Sequence, residues 1–345
     1  MRALLPVYGD LRVRLEVALK GNTRELMSKQ LRRAAVCCRW ALVPLAVLWI
    51  AGPVRPQGAY AAGFHLYKVQ GNVWALVGGV NNITVQAGDG GVLLVNTGLE
   101  ATAPEVLRAI RTVSDKPIRW IVNTSIDAGD TGANDALPRL SAAGPGPRAR
   151  IIAHENVLNR MSRAPAAGEA AIPEAQWPND EYFQPAKDFA FNGEAVIVYH
   201  MPAAHTDGDS IVHLRRSDVI SAGSLYTPGR YPVIDRKRGG SVQGVIAALN
   251  RILEITVPLK YQEGGTYVIP GQGRISDEAD VVEYRDMVTI VRDNIRDYIA
   301  KGMSLEQVKA ARPTREYDPE YTRSGGPSAD AFIESVYSTL SRKNP

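Results

Sequence analysis

From residue 64 to residue 97 the chain runs in short pieces rich in β-branched and aromatic residues, "FHLYKVQ", "VWALVGG", "NITVQAG" and "GVLLVNT". Gly-Asn, Asn-Asn and Asp-Gly-Gly turn signals separate them, a pattern that predicts an antiparallel meander. In "ATAPEVLRAIRTVS" the spacing changes, and Val106, Leu107, Ile110 and Val113 fall on one side of a helix. "IRWIVNT" then returns as an apolar run of strand length. Strand, helix and strand in that order predict a crossover connection.

A Gly- and Asp-rich loop follows at residues 123–134, and the pattern then predicts a helix over about 133–143, the strand "ARIIAH" and the helix "ENVLNRM". The Pro- and aromatic-containing excursion at 164–183 is the best candidate for a substrate-facing flap, although a plain surface loop is the favoured reading. A second strand group reads "DFAFNG", "AVIVYHM", "DSIVHLRR" and "DVISAG". The helix "SVQGVIAALNRILEI", the strand "TYVIPG" and a long amphipathic helix beginning at "SDEADVV" come next. Ser304 and Gln307 form a capping box for "LEQVKAAR", and a last helix covers residues 329–340. Each half of the chain thus runs from a β-rich group through a helix to another strand. That order suits two sheets packed face to face with helices outside, and it gathers the loops at one edge, where function is expected.

A chain of 345 residues, 45% of them hydrophobic, is globular rather than disordered. Its formal charge of +4 invites a nucleic-acid or membrane reading, so the position of the charge matters. Residues 1–61 hold ten Lys/Arg and three Asp/Glu, a balance of +7, which leaves 30 basic and 33 acidic residues, or −3, in 62–345. The remainder also lacks a basic strip laced with aromatics, and a nucleic-acid partner is disfavoured.

The front reads as a targeting segment. "KQLRRAAVCCR" supplies positive charge, "WALVPLAVLWIAG" a short apolar run, and "AYA" at 59–61 the form of a leader cleavage site. The expectation is a periplasmic or secreted protein, with contact to a membrane only through an uncleaved leader. Met27 fits a signal peptide's start better than Met1. Cys37 and Cys38 both precede the apolar run, so a mature chain from about residue 62 contains no cysteine, hence no disulfide and no thiolate ligand. The expected organisation is this extension at 1–61, a main domain at 62–303 and a helical extension at 304–345.

Four strings resemble the metallo-β-lactamase superfamily in order and spacing. They are "GNVWALVGGVNNITVQAGDGGVLLVNTGL", "IRWIVNTSIDAGDTGAN", "PAAHTDGDSIVHLRRSDVISAGSLY" and "YVIPGQGR", and together they cover about residues 64–295. The resemblance implies an α/β fold, a four-layer αββα sandwich with extra C-terminal helices here, and one or two metals, usually zinc, at the sheet edge.

The family's metal loop, Asn-Thr-His-x-His-x-Asp-His-x-Gly-Gly-Asn, matches at Asn123, Thr124, Gly132 and Asn134. Its four ligand positions become Ser125, Asp127, Gly129 and Asp130. His205 matches a further ligand, whereas the bridging aspartate becomes Ser224 and the last histidine Gln272. Asn96 replaces the aspartate that supports the loop from behind.

Catalytic zinc takes three protein ligands and lowers the pKa of a bound water to about 7. Ser125, Asp127 and His205 on one side, and Asp130 and Gln272 on the other, do not supply three good ligands to either position. No cofactor is expected; any metal falls to Asp127, Asp130 and His205, and a harder ion such as calcium or manganese could use Asp127, Asp130, Gln272 and water. The catalytic candidates are the same three residues. As structural alternatives, Asp127 and Asp130 are turn-makers and His205 a turn cap, and Ser224, His205 and Asp127 can be drawn as a nucleophilic triad. His65, His154, His200 and His213 match no ligand position and read as structural. The sequence supports an exported, catalytically inactive family member that binds a small-molecule ligand or a protein partner. The alternative is an active hydrolase of β-lactam, thioester or lactone bonds using one weakly held metal.

Overall fold

The computed structural model describes residues 63–142, 147–165, 168, 170–258, 264–323 and 325–341. The leader, Cys37, Cys38 and Met27 lie outside the described residues. The first sheet has seven strands in chain order: β1 His65–Gln70, β2 Val73–Val77, β3 Ile83–Gly88, β4 Gly91–Val95, β5 Ile118–Val122, β6 Arg150–His154 and β7 Asp180–Tyr182. β1 to β4 pair antiparallel, as the turn signals predict, and β4 to β7 pair parallel. All five residues of β4 are buried, because both faces of the strand are covered, which is why it reads as a continuous apolar run rather than an alternation.

Helix α1, Ala103–Ile110, makes the crossover from β4 to β5. Pro104 sits in its first turn, where a missing N–H costs nothing, and Ala103, Val106 and Ile110 form the buried stripe. The second sheet repeats the plan. β8 Ala186–Phe191, β9 Glu194–Met201, β10 Asp209–Leu214 and β11 Val219–Gly223 pair antiparallel, and β12 Tyr267–Pro270 pairs parallel with β11.

The sheets meet through Leu93, Val95, Val122 and Ile152 on one inner face and Val198, Val212, Val219 and Ile269 on the other. Val106, Ile110 and Leu137 cover the first sheet from outside. Helices α5 Val242–Ile255 and α6 Glu278–Ala300 cover the second through Val245, Leu249, Val288 and Val291. The result is the expected sandwich with helices in both outer layers.

One element differs from the sequence expectation. The helix over 133–143 is reduced to α3, Ala136–Ser141, preceded by a separate single turn, α2 Ala128–Thr131. Asn134 is drawn out of the helix by side-chain bonds to Asn123 and Thr97, so the helix starts after it. Of the two readings of the excursion at 164–183, its described residues from 170 onward fit the surface segment and do not line the cavity. Trp177 donates to the Ile172 carbonyl at 2.9 Å, Ile172 and Trp177 pack into the small cluster holding Ala153, Val157 and Ile126, and the segment ends as edge strand β7. α4 Glu155–Met161 forms as read.

The last helices, α7 Leu305–Ala311, α8 Asp318–Tyr321 and α9 Ala329–Leu340, bury Val308, Tyr321, Phe332, Ile333 and Val336 in the same cluster as α5 and α6. Tyr231 stacks against Tyr321 and Phe332 at 5.5 and 4.7 Å between centroids. Both halves of the Ser304–Gln307 capping box are present. Among the described residues no helix is long and apolar enough to cross a membrane.

Candidate functional site at the sheet edge

The loops after β2, β5, β9, β11 and β12 converge at one edge of the sandwich. They bring Asn81, the 123–134 loop, His205, Ser224 and Gln272 together, although they lie far apart in sequence.

The loop's shape comes from its own amides. Asn134 donates to Asn123 Oδ1 at 2.9 Å and to the Gln176 carbonyl at 2.8 Å, while Asn123 donates to the Asp130 carbonyl at 2.8 Å. Asn96, at φ 66° in the left-handed region that asparagine tolerates, accepts the Thr124 N–H at 2.9 Å. The residue standing behind the loop therefore still holds the backbone. Gly132 is required by close approach, since a Cβ there would lie 2.7 Å from the Ala128 carbonyl oxygen.

Asp127 and His205 form an ion pair. His205 Nε2 donates to Asp127 Oδ2 at 2.9 Å, and Nδ1 faces the Val233 carbonyl oxygen at 2.8 Å. A carbonyl oxygen only accepts, which puts a proton on Nδ1, and the Asp127 carboxylate, paired also with Arg238, accepts from Nε2, so the ring is an imidazolium. Burial opposes that charge, but the Asp127 bond, the nearby Asp209 and the Val233 carbonyl outweigh it and raise the pKa to about 9. Burial would likewise raise Asp127, yet His205 and Arg238 hold its carboxyl down at about 2. Arg238 Nη1 reaches Asp127 Oδ1 at 2.7 Å, and its Nε donates to Asp235 Oδ2 at 2.6 Å. Asp209, which accepts from the backbone and hydroxyl of Thr206, is pushed up by burial to about 7.

Asp130 is fully buried. Ser125 donates to Oδ2 at 2.6 Å and Asn81 to Oδ1 at 2.6 Å, with Thr124 Oγ1 at 3.4 Å from Oδ2. Burial raises its pKa, opposed by the bonds from Ser125 and Asn81. Gly129 makes this arrangement sterically possible, because a Cβ there would meet Asn81 Nδ2 at 2.9 Å. Asn81 Oδ1 accepts from Gln272 Nε2 at 3.0 Å, and Gln272 Oε1 accepts from Arg230. Every donor in this relay points the same way, from the guanidinium of Arg230 through two amides to the buried carboxyl.

Ser224 lines the same cavity as Asp127 and His205, but both nitrogens of His205 are taken, one by Asp127 and one by Val233. No nitrogen remains to accept a proton from Ser224, so the three do not form a nucleophilic triad. The other histidines stand elsewhere. His154 stacks on His200 at 3.5 Å, and burial followed by the charge of His200 lowers its pKa to about 4. His213 is buried in β10, and His65 starts β1.

The residues do not fit a zinc ion. Asp127 is engaged at both oxygens, His205 offers no lone pair, Asp130 is enclosed by donors, and Gly129 has no side chain. Among the described residues no group of three His, Cys, Asp or Glu side chains is arranged to hold a metal. Three members of the site escape a reading of the sequence. Asn81 lies in a turn signal, and Arg230 and Arg238 fall in segments without a motif. The one available signal was the tandem Asn81–Asn82, whose side chains are both buried; Asn82 bonds the Pro270 and Gly273 carbonyls.

Solved structures with the same fold accompany this geometry. The stereoselective inverting sec-alkylsulfatase Pisa1 from Pseudomonas sp. superposes with a TM-score of 0.56 at 15% identity, over 80% of this chain and 50% of that one. The chain therefore spans about half of the sulfatase's length. A metallo-beta-lactamase from Pontibacter korlensis matches at 0.50 with 18% identity, over 66% of this chain and 99% of that one. The DIM-1 metallo-beta-lactamase matches at 0.50 with 14% identity, over 66% and 97%. A search of curated proteins finds no match. The family model described as the metallo-beta-lactamase superfamily matches residues 76–286, which span the β2–β12 framework and every loop of the site, and the chain belongs to that superfamily.

Proposed function

We propose that this chain is a small-molecule-binding member of its superfamily that does not carry out metal-dependent hydrolysis. One observation carries the reading: the acidic and imidazole groups left at the family's ligand positions already have protein partners. Asp127 is held by His205 and Arg238, His205 by Asp127 and Val233, and Asp130 by Ser125 and Asn81. A metal ion would have to break an ion pair, deprotonate an imidazolium and enter a fully buried carboxyl's shell, with no full set of ligands in return. What remains is a pocket of about 320 Å³, at the small end of the range of roughly 300–1,000 Å³ typical of small-molecule sites.

Elemental analysis of the purified chain after dialysis against zinc tests the reading, together with assays on β-lactam, thioester and lactone substrates. Far less than one zinc per chain and no turnover are expected. About one tightly held zinc per chain with hydrolysis would overturn it.

The basic and apolar front supports export as part of the same proposal. N-terminal sequencing of the mature chain is expected to begin near Ala62. Recovery of the exported chain with residues 1–26 intact would remove the Met27 start.

A further inference from the structure

Away from the cavity, two histidines of different sheets meet face to face. His154 ends β6 in the first sheet and is buried, at 3% exposure, while His200 lies in β9 of the second. Their ring centroids are 3.5 Å apart and the rings lie within 9° of parallel. His154 also caps α4. Its Nδ1 accepts the Asn156 N–H at 3.3 Å, which requires a lone pair there and hence a neutral ring with its proton on Nε2. His200 Nε2 faces the Asp207 carbonyl oxygen at 2.9 Å and therefore carries a proton. The same carbonyl accepts from Asn156 Nδ2 at 2.9 Å.

The stack lies on the seam between α4 and the loop that carries His205. Arg160 of α4 donates to the Asp207 carboxylate through Nε at 3.1 Å and Nη2 at 2.5 Å, and Nη2 also reaches the Arg238 carbonyl oxygen. Gly208 lets the two segments touch, since a Cβ there would stand 3.0 Å from Val157 Cγ2. The titratable and charged groups around His154 come from every element packed on it. β9 gives His200, and β7 gives Tyr182, edge-on at 5.3 Å, with its hydroxyl on Ser210 and the charge of Asp209 near it. The loop after β9 gives Asp207, whose carboxylate favours a charged His154 but is already held by Arg160. α4 itself gives Arg160 and the exposed Glu155. Burial first, and then His200, act against a charge on His154 and outweigh Asp207.

We propose that the His154–His200 stack is an acid-released latch, which holds α4 on the 205–209 loop while His154 is neutral and frees the helix when His154 takes up a proton. A proton on Nδ1 turns the cap's acceptor into a second donor facing the Asn156 N–H, so the cap is lost. A charged His200 beside it adds the repulsion of two stacked cations. The folded pKa of His154, about 4, lies below the ordinary 6.5, so the proton binds the released form more strongly and the latch weakens as pH falls from 6.5 toward 4. The seam ends at Arg238, whose guanidinium holds Asp127, so release loosens one wall of the sheet-edge site. The inference concerns a contact outside the cavity and is independent of what the cavity binds.

Amide hydrogen exchange of the full chain between pH 7 and pH 4, read by NMR and corrected for the intrinsic pH dependence of exchange, tests the proposal. The amides of α4 are expected to lose protection at least about tenfold over that range, while those of α6 keep theirs. His154→Asn supplies a cap acceptor that does not titrate, and its α4 is expected to stay as protected at pH 4 as at pH 7. Asp209 and His205 titrate over neighbouring ranges in both proteins, so the difference between wild type and variant isolates His154. Unchanged α4 protection in the wild type, an equal loss in α6, or an equal loss in His154→Asn would overturn the proposal. If His154→Asn does not fold, the wild-type titration decides: α4 must open in step with the His154 Cε1–H shift, and opening at a pH where that ring does not titrate would overturn it as well.

Discussion

The two halves of the sheet-edge centre use opposite means to stabilise themselves. Around Asp127 the means is ionic: a carboxylate lies between an imidazolium and a guanidinium, and the charges close on one another. Around Asp130 it is a relay of neutral amides that begins at a guanidinium in the cavity and ends at a buried carboxyl. The first half leaves nothing for a ligand. In the second, Arg230 has no acidic partner among the described residues, and its guanidinium is held by Gln272. Whether a site is closed thus depends on where the charge balance is made, and not on how many polar residues it contains.

The largest test of this contrast is Asp130→Leu. It strands the donors of Ser125 and Asn81 in a dry pocket, and urea unfolding should show a loss of about 3–5 kcal/mol. A loss below about 1 kcal/mol would mean that the relay does not stabilise the fold.

Asp127→Ala removes the anion between two cations and should cost about 3 kcal/mol. Adding Arg238→Met to it should recover part of the loss, and a double-mutant cycle reads the coupling. Strict additivity would break the ionic description of the first half.

Stability against pH sharpens it further. The folded pKa of His205, about 9, lies above its ordinary 6.5, so the folded state binds the extra proton. Its contribution is fully present below 6.5 and is lost as pH rises through 9, by about 3 kcal/mol. Asp209, raised from 3.8 to about 7, acts in the same direction at lower pH, so their joint contribution to stability should fall steadily from about pH 4 to about pH 9. Asp127 works the other way, but only at the acid end: its contribution is present above 3.8 and lost as pH falls toward 2. Chemical denaturation across that range, with the His205 ring followed by NMR, checks both signs.

Ser224→Ala should be the smallest change, within about 0.5 kcal/mol, because its hydroxyl has no hydrogen-bond partner among the described residues to lose. A larger loss would place Ser224 in the structural network rather than in the open wall.

The framework was written locally. Turn signals between β-rich pieces, the apolar stripe of α1, the runs of β4 and β5 and the Ser304 capping box all depend on neighbours within a few residues, and each element forms. The excursion at 164–183 left two readings open, flap or surface loop, because its prolines and aromatics describe a surface segment without saying what the segment covers. It packs behind the loop instead of over the cavity.

The sequence by itself determined the strand and helix order, the superfamily motifs in their spacing, and the replacement of ligand-type residues at Ser125, Gly129, Ser224 and Gln272. Only the tertiary structure decided what took their place. Arg238 meets Asp127 across 111 positions, and Gln272 meets Asn81 across 191. No local pattern encodes such pairs, because charge balance and hydrogen-bond satisfaction are set by distances that exist only once the two sheets have closed on each other.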